Sequence, residues 1–133
     1  MKQPEFFYGT GRRKCSAARV FLKPATSETF TFTVNNTSCD TYFTRSTDVI
    51  SLLKPLELVD KSQFKIFASV TGGGSTGQRD ALKMGLARAL LSFDQNLHGP
   101  LKEQNFLTRD SRMVERKKPG CRKARKKQQF KKR

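Results

Sequence analysis

From Met113 onward the only apolar side chains are Met113, Val114, Cys121, Ala124 and Phe130, and Pro119-Gly120 interrupts any helix there. A segment this poor in apolar surface cannot offset the entropy of ordering its own chain. It is expected to stay disordered until it meets a partner. Any core must come from the residues before it. The division reads as a globular body over residues 1–112 and an extended basic tail over residues 113–133. Such a body fits one domain, burying roughly two-thirds of the surface its unfolded chain exposes.

Charge points the same way. The 133 residues carry a formal net charge of +16. From Arg109 to Arg133 there are 13 Lys and Arg against only Asp110 and Glu115, whereas the preceding residues hold 14 basic and 9 acidic side chains. Self-repulsion of this size opposes compaction, and a polyanionic partner relieves it. A membrane is not expected as that partner. The tail has no amphipathic apolar face, and no apolar run approaches the roughly 20 residues that span a bilayer.

Residues 1–8 lack the hydrophobic stretch of a secretory signal, and no Arg- and Ser-rich leader precedes Phe6. The expectation is a protein that works in the cytoplasm where it is made. Cys15, Cys39 and Cys121 are odd in number and widely spaced, which suits reduced thiols. With no CxxC pair and His98 the only histidine, no metal site or cofactor is expected.

Along the body, periodicity predicts alternating strands and helices. Phe6 to Lys23 reads as two strands joined around Gly9-Thr10-Gly11, with Ala18, Val20 and Leu22 on one face. Residues 29–34 alternate, turning Phe30, Phe32 and Val34 to a core, and Asn35-Asn36 supplies a turn. Residues 40–60 read as short helices broken at Pro55, with Ser46 or Thr47 as an N-cap. A strand over Phe64–Val70 runs into Gly72-Gly73-Gly74. A helix follows, carrying Leu82, Leu86, Ala89, Leu90 and Phe93 on one face and Lys83 and Arg88 off it. Pro100 is expected to open a last helix ending near Asn105.

Three features bear on function. Strand, glycine turn and helix form the geometry that cradles phosphate on backbone N–H groups. The run Gly72 to Gln78 lacks the Gly-Lys-Ser/Thr ending of a nucleotide-binding loop. It reads either as a tight turn capped by Ser75 or Thr76, as a seat for an RNA phosphate, or as a nucleotide site. Second, Arg12-Arg13-Lys14 lies beside Gly9 and Gly11, where a backbone can approach another chain; the basic excess favours RNA contact there over a solvated face. Third, the tail clusters Arg116-Lys117-Lys118, Arg122-Lys123, Arg125-Lys126-Lys127 and Lys131-Lys132-Arg133 reach up to about 60 Å at roughly 3.3 Å per residue. Catalysis finds no support: His98 sits in a polar loop, and Asp80, Asp94 and Asp110 read as helix-end or turn residues.

The chain resembles the bacterial-type family of small ribosomal subunit protein nine over nearly its whole length. The resemblance rests on residues 9–14, the glycine turn through Gly77-Gln78, Leu86 to Leu90, Leu107 to Gly120, and the closing run Lys123 to Arg133. It implies an α/β (α+β) fold of the ribosomal-protein-five second-domain type, a mixed sheet with packed helices plus the tail. It implies no catalytic activity and no small-molecule substrate. It places the protein in the cytoplasm, in the ribosome, in the head of the small subunit. The implied partners are the 3′ major domain of ribosomal RNA, peptidyl-site tRNA and neighbouring ribosomal proteins. Ribosomal RNA contact is then expected at Arg12, Arg13 and Lys14, at Gly73, Gly74 and Gln78, and at Arg109 and Arg112. In the tail it is expected at Arg116, Lys117, Lys118, Arg122, Lys123, Arg125, Lys126 and Lys127. Lys131, Lys132 and Arg133 would touch the tRNA anticodon stem-loop. Three positions depart from the family pattern: Asn36-Thr37 for Gly-Arg, Thr76 for Ser, and Lys131 for Ser. The alternatives are a nonspecific basic nucleic-acid binder and a small-molecule kinase on a related fold.

Overall fold

The alternating stretches form four strands, and Thr37-Ser38 adds an unexpected short fifth, in the computed structural model, which describes residues 6–25 and 29–132. They are β1 (Phe7–Arg13), β2 (Ser16–Pro24), β3 (Thr31–Val34), β4 (Thr37–Ser38) and β5 (Phe64–Thr71). One sheet joins them in the order β1-β2-β5-β3-β4. All neighbouring pairs are antiparallel except β3 and β5. A parallel pair needs a crossover, and residues 39–63 supply it. They contain α1 (Cys39–Tyr42), α2 (Ser46–Leu53) and two 3₁₀ turns. After β5 come α3 (Ser75–Phe93) and the short α4 (His98–Glu103). The result is a mixed α+β architecture, as the resemblance implied.

The helices lie on one face of the sheet. Ala18, Val20 and Leu22 of β2 meet Ile66, Ala68 and Val70 of β5 and Phe32 and Val34 of β3 in a single buried cluster. Leu82, Leu86 and Leu90 of α3 close it, with Leu52 and Leu56 from the crossover. The core-facing residues expected on β2 and β3 are therefore the ones buried, although Phe30, just before β3, is only half-buried. α3 was expected to bury a single stripe. It is instead buried almost all round, because α2 and the Lys54–Leu58 3₁₀ turn cover the side away from the sheet.

Several local expectations are corrected. Gly9 and Gly11 do not form the first turn; they lie inside β1, and the chain reverses at Lys14-Cys15 with Lys14 at φ 51°. The reason is tertiary. A Cβ on Gly9 or Gly11 would overlap the backbone of α3 at Gly85 or Ala81, so only glycine lets helix and strand approach this closely. Neither Ser46 nor Thr47 caps α2, whose N-cap is Arg45 without a side-chain bond. α4 starts two residues before Pro100, which occupies its first turn, where a missing N–H leaves no bond unmade. Phe93 is exposed, yet its ring meets Phe7 and Phe64 edge-on at 5.2 and 5.0 Å. The Asn35-Asn36 turn is as expected, with both residues at positive φ. Asn35 adds a clamp: its side chain donates to the Val70 carbonyl and accepts from the Val70 amide, both at 2.9 Å, extending the β3–β5 pairing.

Candidate nucleic-acid interface

The tail leaves the body beside the end of β1. Residues 109–132 form neither helix nor strand, apart from one isolated bridge between Cys121 and Lys127. Arg13 holds the root of this segment. Its Nη1 donates to the carbonyls of Asp110 (3.3 Å) and Arg112 (3.0 Å) and pairs with the Asp110 carboxylate at 3.1 Å. The same guanidinium lies 3.7 Å from Asp80 on α3. Asp80 pairs with Arg79, and Arg79 reaches the buried Asp48 of α2 at 2.8 Å. A continuous chain of charge thus runs from α2 through α3 and β1 to the tail. Burial works against the Arg79 charge, but its hydrogen bonds to Asp80 and Asp48 more than offset this and raise its pKa.

Asp110 is held well below the usual carboxylate range, first by the Arg112 side chain, then by the Arg112 amide, with Arg13 adding attraction. A depressed folded pKa makes the root's contribution fully present above the ordinary carboxylate value, and it is lost only as pH falls through the lower folded one. The root therefore stays charged and clamped throughout the physiological range.

Arg12, the neighbour of Arg13, behaves oppositely. Its side chain is exposed and makes no bond among the described residues. It shares a polar cleft of about 320 Å³ with Arg79, Lys83, Arg112 and the ring of Phe106. Lys83 Nζ sits 5.6 Å over that ring, and burial lowers its pKa, with Arg79 and Lys54 adding to the effect and Asp80 opposing it. Five cations against Asp80 and Asp110 leave this cleft positive. It suits a phosphate backbone. Arg79 carried no signal in the sequence, and Asp80 and Lys83 read only as a helix-end residue and a residue off the apolar face; their spacing of three, one helical turn, is what puts them side by side.

The glycine turn is shaped by packing. Gly72 and Gly73 have φ of 73° and 65°, and a Cβ on Gly73 would overlap the hydroxyl of the buried Ser16. Ser16 Oγ donates to the Gly72 carbonyl at 3.0 Å. The N-cap of α3 is Gly74, with no side-chain bond, so the expected capping by Ser75 or Thr76 does not occur. Gln78 is engaged within the chain: Nε2 donates to the Gly72 carbonyl at 3.1 Å and Oε1 accepts from the Tyr42 hydroxyl at 2.8 Å. Lys14 and Gly74 are exposed.

In the tail, Glu115 gathers two cations, Lys118 at 2.8 Å and Arg125 at 2.9 Å. Arg122 N–H donates to the Lys126 carbonyl at 2.8 Å, and Gly120 turns the chain at φ 76°. Residues 118–127 therefore fold back as a loop that apolar content did not foretell. Arg116 donates to the Lys117 carbonyl. Arg109, Lys117, Arg122, Lys123, Lys126, Lys127, Lys131 and Lys132 are exposed and make no side-chain bond among the described residues. Arg133 lies outside the described residues. Among the described residues no cluster of three His, Cys, Asp or Glu could hold a metal. His98 is exposed, and buried Cys39 has its thiol pushed up to about 11 by burial and by Asp40.

A comparison with known families matches ribosomal protein S9/S16 over residues 11–133, which takes in the clamp, the glycine turn, α3 and the entire tail. The chain belongs to the ribosomal protein S9/S16 family. As a member of that family it is a structural, ribosomal RNA-binding protein of the small subunit, located in the ribosome and so in the cytoplasm. Membership explains why five strands without one Asp or Glu carry such a tail: the partner is a polyanion.

The two arginines of the Arg12-Arg13 pair should respond differently to truncation. Arg13→Ala removes a half-buried clamp with charged hydrogen bonds, worth about 1–2 kcal/mol. Trypsin cleavage at Arg109 and Arg112 of the free protein should then quicken roughly tenfold, because cleavage follows the population of the opened root. Arg12→Ala should leave that rate unchanged. Equal rates for Arg13→Ala and the parent would mean that the root is not clamped.

Proposed function

We propose that the body anchors the protein to ribosomal RNA of the subunit head, in the 3′ major domain, while the end of the tail touches peptidyl-site tRNA. The body would cover residues 1–112 and the tail 113–133. Eight tail cations that pair with no carboxylate among the described residues carry this reading. They lie on a segment long enough to reach a site remote from the body. Arg12, Lys14, Arg109 and the exposed backbone at Gly73 and Gly74 would meet ribosomal RNA near the root. Arg13, Arg112 and Gln78, being tied within the chain, would shape that surface. The inner clusters Arg116 to Lys118 and Arg122 to Lys127 would run along ribosomal RNA, with Lys131, Lys132 and Arg133 left for tRNA. RNA in a folded subunit is read largely through phosphates and backbone shape, which suits flexible lysines and arginine forks. Neighbouring ribosomal proteins complete the site.

No enzymatic role is proposed. A phosphotransferase would need free carboxylates near the glycine turn, and Asp48 and Asp80 are tied to Arg79 and Arg13.

Deleting Lys131 to Arg133 tests the tRNA assignment. Screened ion pairs contribute about 0.2–1 kcal/mol each, so tRNA should leave the peptidyl site about tenfold faster, with subunit yield on gradients unchanged. An off-rate equal to that of intact ribosomes would remove the tip from tRNA binding. Binding of duplex DNA as tight as that of structured RNA would favour a nonspecific nucleic-acid binder.

A further inference from the structure

With every helix on one face, no described element covers the opposite face of the sheet, and its side chains are not those of a solvated surface. Tyr8, Phe21 and Phe67 occupy one row across β1, β2 and β5, directly paired in register. Tyr8 and Phe21 rings are 5.0 Å apart, and Phe6 meets Phe21 edge-on at 6.5 Å. Tyr8 and Phe67 remain 47% and 44% exposed, so these rings contribute little to the core and leave much of their surface open to a partner. Contiguous exposed aromatic surface of this kind marks a binding site.

The charge around the row selects the occupant. Arg19 lies in the next row, between Thr10 and Ser69, and Lys23 pairs with Lys65 in the row on the other side. Lys23 Nζ lies 5.3 Å over the Phe6 ring. The five strands contain no Asp or Glu to oppose these cations. Rings at strand spacing, flanked on both sides by cations, match what single-stranded RNA presents: bases to stack and phosphates on either side. A protein partner would need neither cations on both sides of the row nor exposed rings in line.

We propose that the open sheet face is a stacking platform for unpaired RNA bases, with Tyr8 and Phe67 as the principal rings and Arg19, Lys23 and Lys65 holding the flanking phosphates. This rests on the reading of the chain as an RNA-binding protein and names a surface separate from the tail and the Arg12 cleft. The platform reads bases by their faces, whereas the tail counts phosphates. The two contributions therefore separate experimentally.

The test uses the full chain, an eight-nucleotide oligoadenylate, and an abasic oligomer with the same number of phosphates. Stacking is worth about 1–3 kcal/mol per base, or roughly 5- to 150-fold. The parent should prefer the base-bearing oligomer by tenfold or more. Tyr8→Ala with Phe67→Ala should bring that preference near unity while leaving abasic affinity unchanged. Tyr8→Leu with Phe67→Leu, which keeps apolar bulk without a ring, should do the same if the alanine pair unsettles the fold. There is no Trp and Tyr42 is the only other tyrosine, so Tyr42→Phe leaves Tyr8 as sole emitter. Its emission should be quenched by oligoadenylate and not by the abasic oligomer.

A preference that survives both ring substitutions, or no preference in the parent, overturns the platform while the phosphate-binding role stands. Loss of preference only in the alanine pair, with leucine retaining it, would mean an apolar surface and equally overturns stacking. If neither oligomer binds the parent, the RNA reading of the isolated chain fails together with the platform.

Discussion

Removing residues 116–133 should flatten the salt dependence of RNA binding from a log–log slope near −6 to about −1. Among the described residues, seven tail cations, all beyond Glu115, make no side-chain bond. Each phosphate they neutralise contributes about −0.7 on a single strand and about −0.9 on a duplex. Affinity at 50 mM salt should fall by roughly 100-fold or more, because binding through six or more phosphates varies by orders of magnitude with counterion release. The truncated chain should also enter subunits poorly, since its inner clusters no longer bridge RNA segments. Fluorescence titration from 50 to 300 mM salt measures the slope, and gradient yield measures incorporation. A parent slope shallower than about −2 would show that most of this charge is only solvated.

Gly11→Ala should be the most damaging single-methyl change in the body. The added Cβ would overlap the Ala81 carbonyl oxygen and lie 2.6 Å from the Gly85 amide nitrogen. Both are backbone atoms of α3, so no rotamer change relieves the clash. Strand and helix must separate, and overpacking a core typically costs about 1–3 kcal/mol, with rigid backbone on both sides pushing toward the upper end. β1 would also lose its anchor from Arg88, which donates to the Thr10 carbonyl at 2.8 Å. Thermal unfolding should shift down by about 10 °C or more. Gly99→Ala is the control: its Cβ meets nothing within 4 Å, and alanine in the helix α4 should be neutral or slightly stabilising. Similar shifts for both variants would show that close packing of β1 on α3 does not govern stability.

The sequence alone was enough for the features that depend on local order. Period-two alternation placed Ala18, Val20, Leu22, Phe32 and Val34 on the core face, since that side-chain period belongs to the strand itself. The apolar poverty after Met113 marked the segment without helix or strand, and Asn35-Asn36 marked a turn, because left-handed φ is a property of single residues. Family motifs were equally legible. What the sequence could not decide were matters of approach between distant segments. Gly9 and Gly11 carry the same local signal whether they turn a chain or admit a helix; only the position of Gly85 and Ala81, at least 70 residues on, distinguishes the two. Arg12 and Arg13 are adjacent and chemically alike, yet only Arg13 is turned to Asp80 and Asp110, while Arg12 stays exposed without a bond among the described residues. The aromatic row of Tyr8, Phe21 and Phe67 likewise exists only through strand register. Long-range pairing brought these groups together, and spacing along the chain does not encode it.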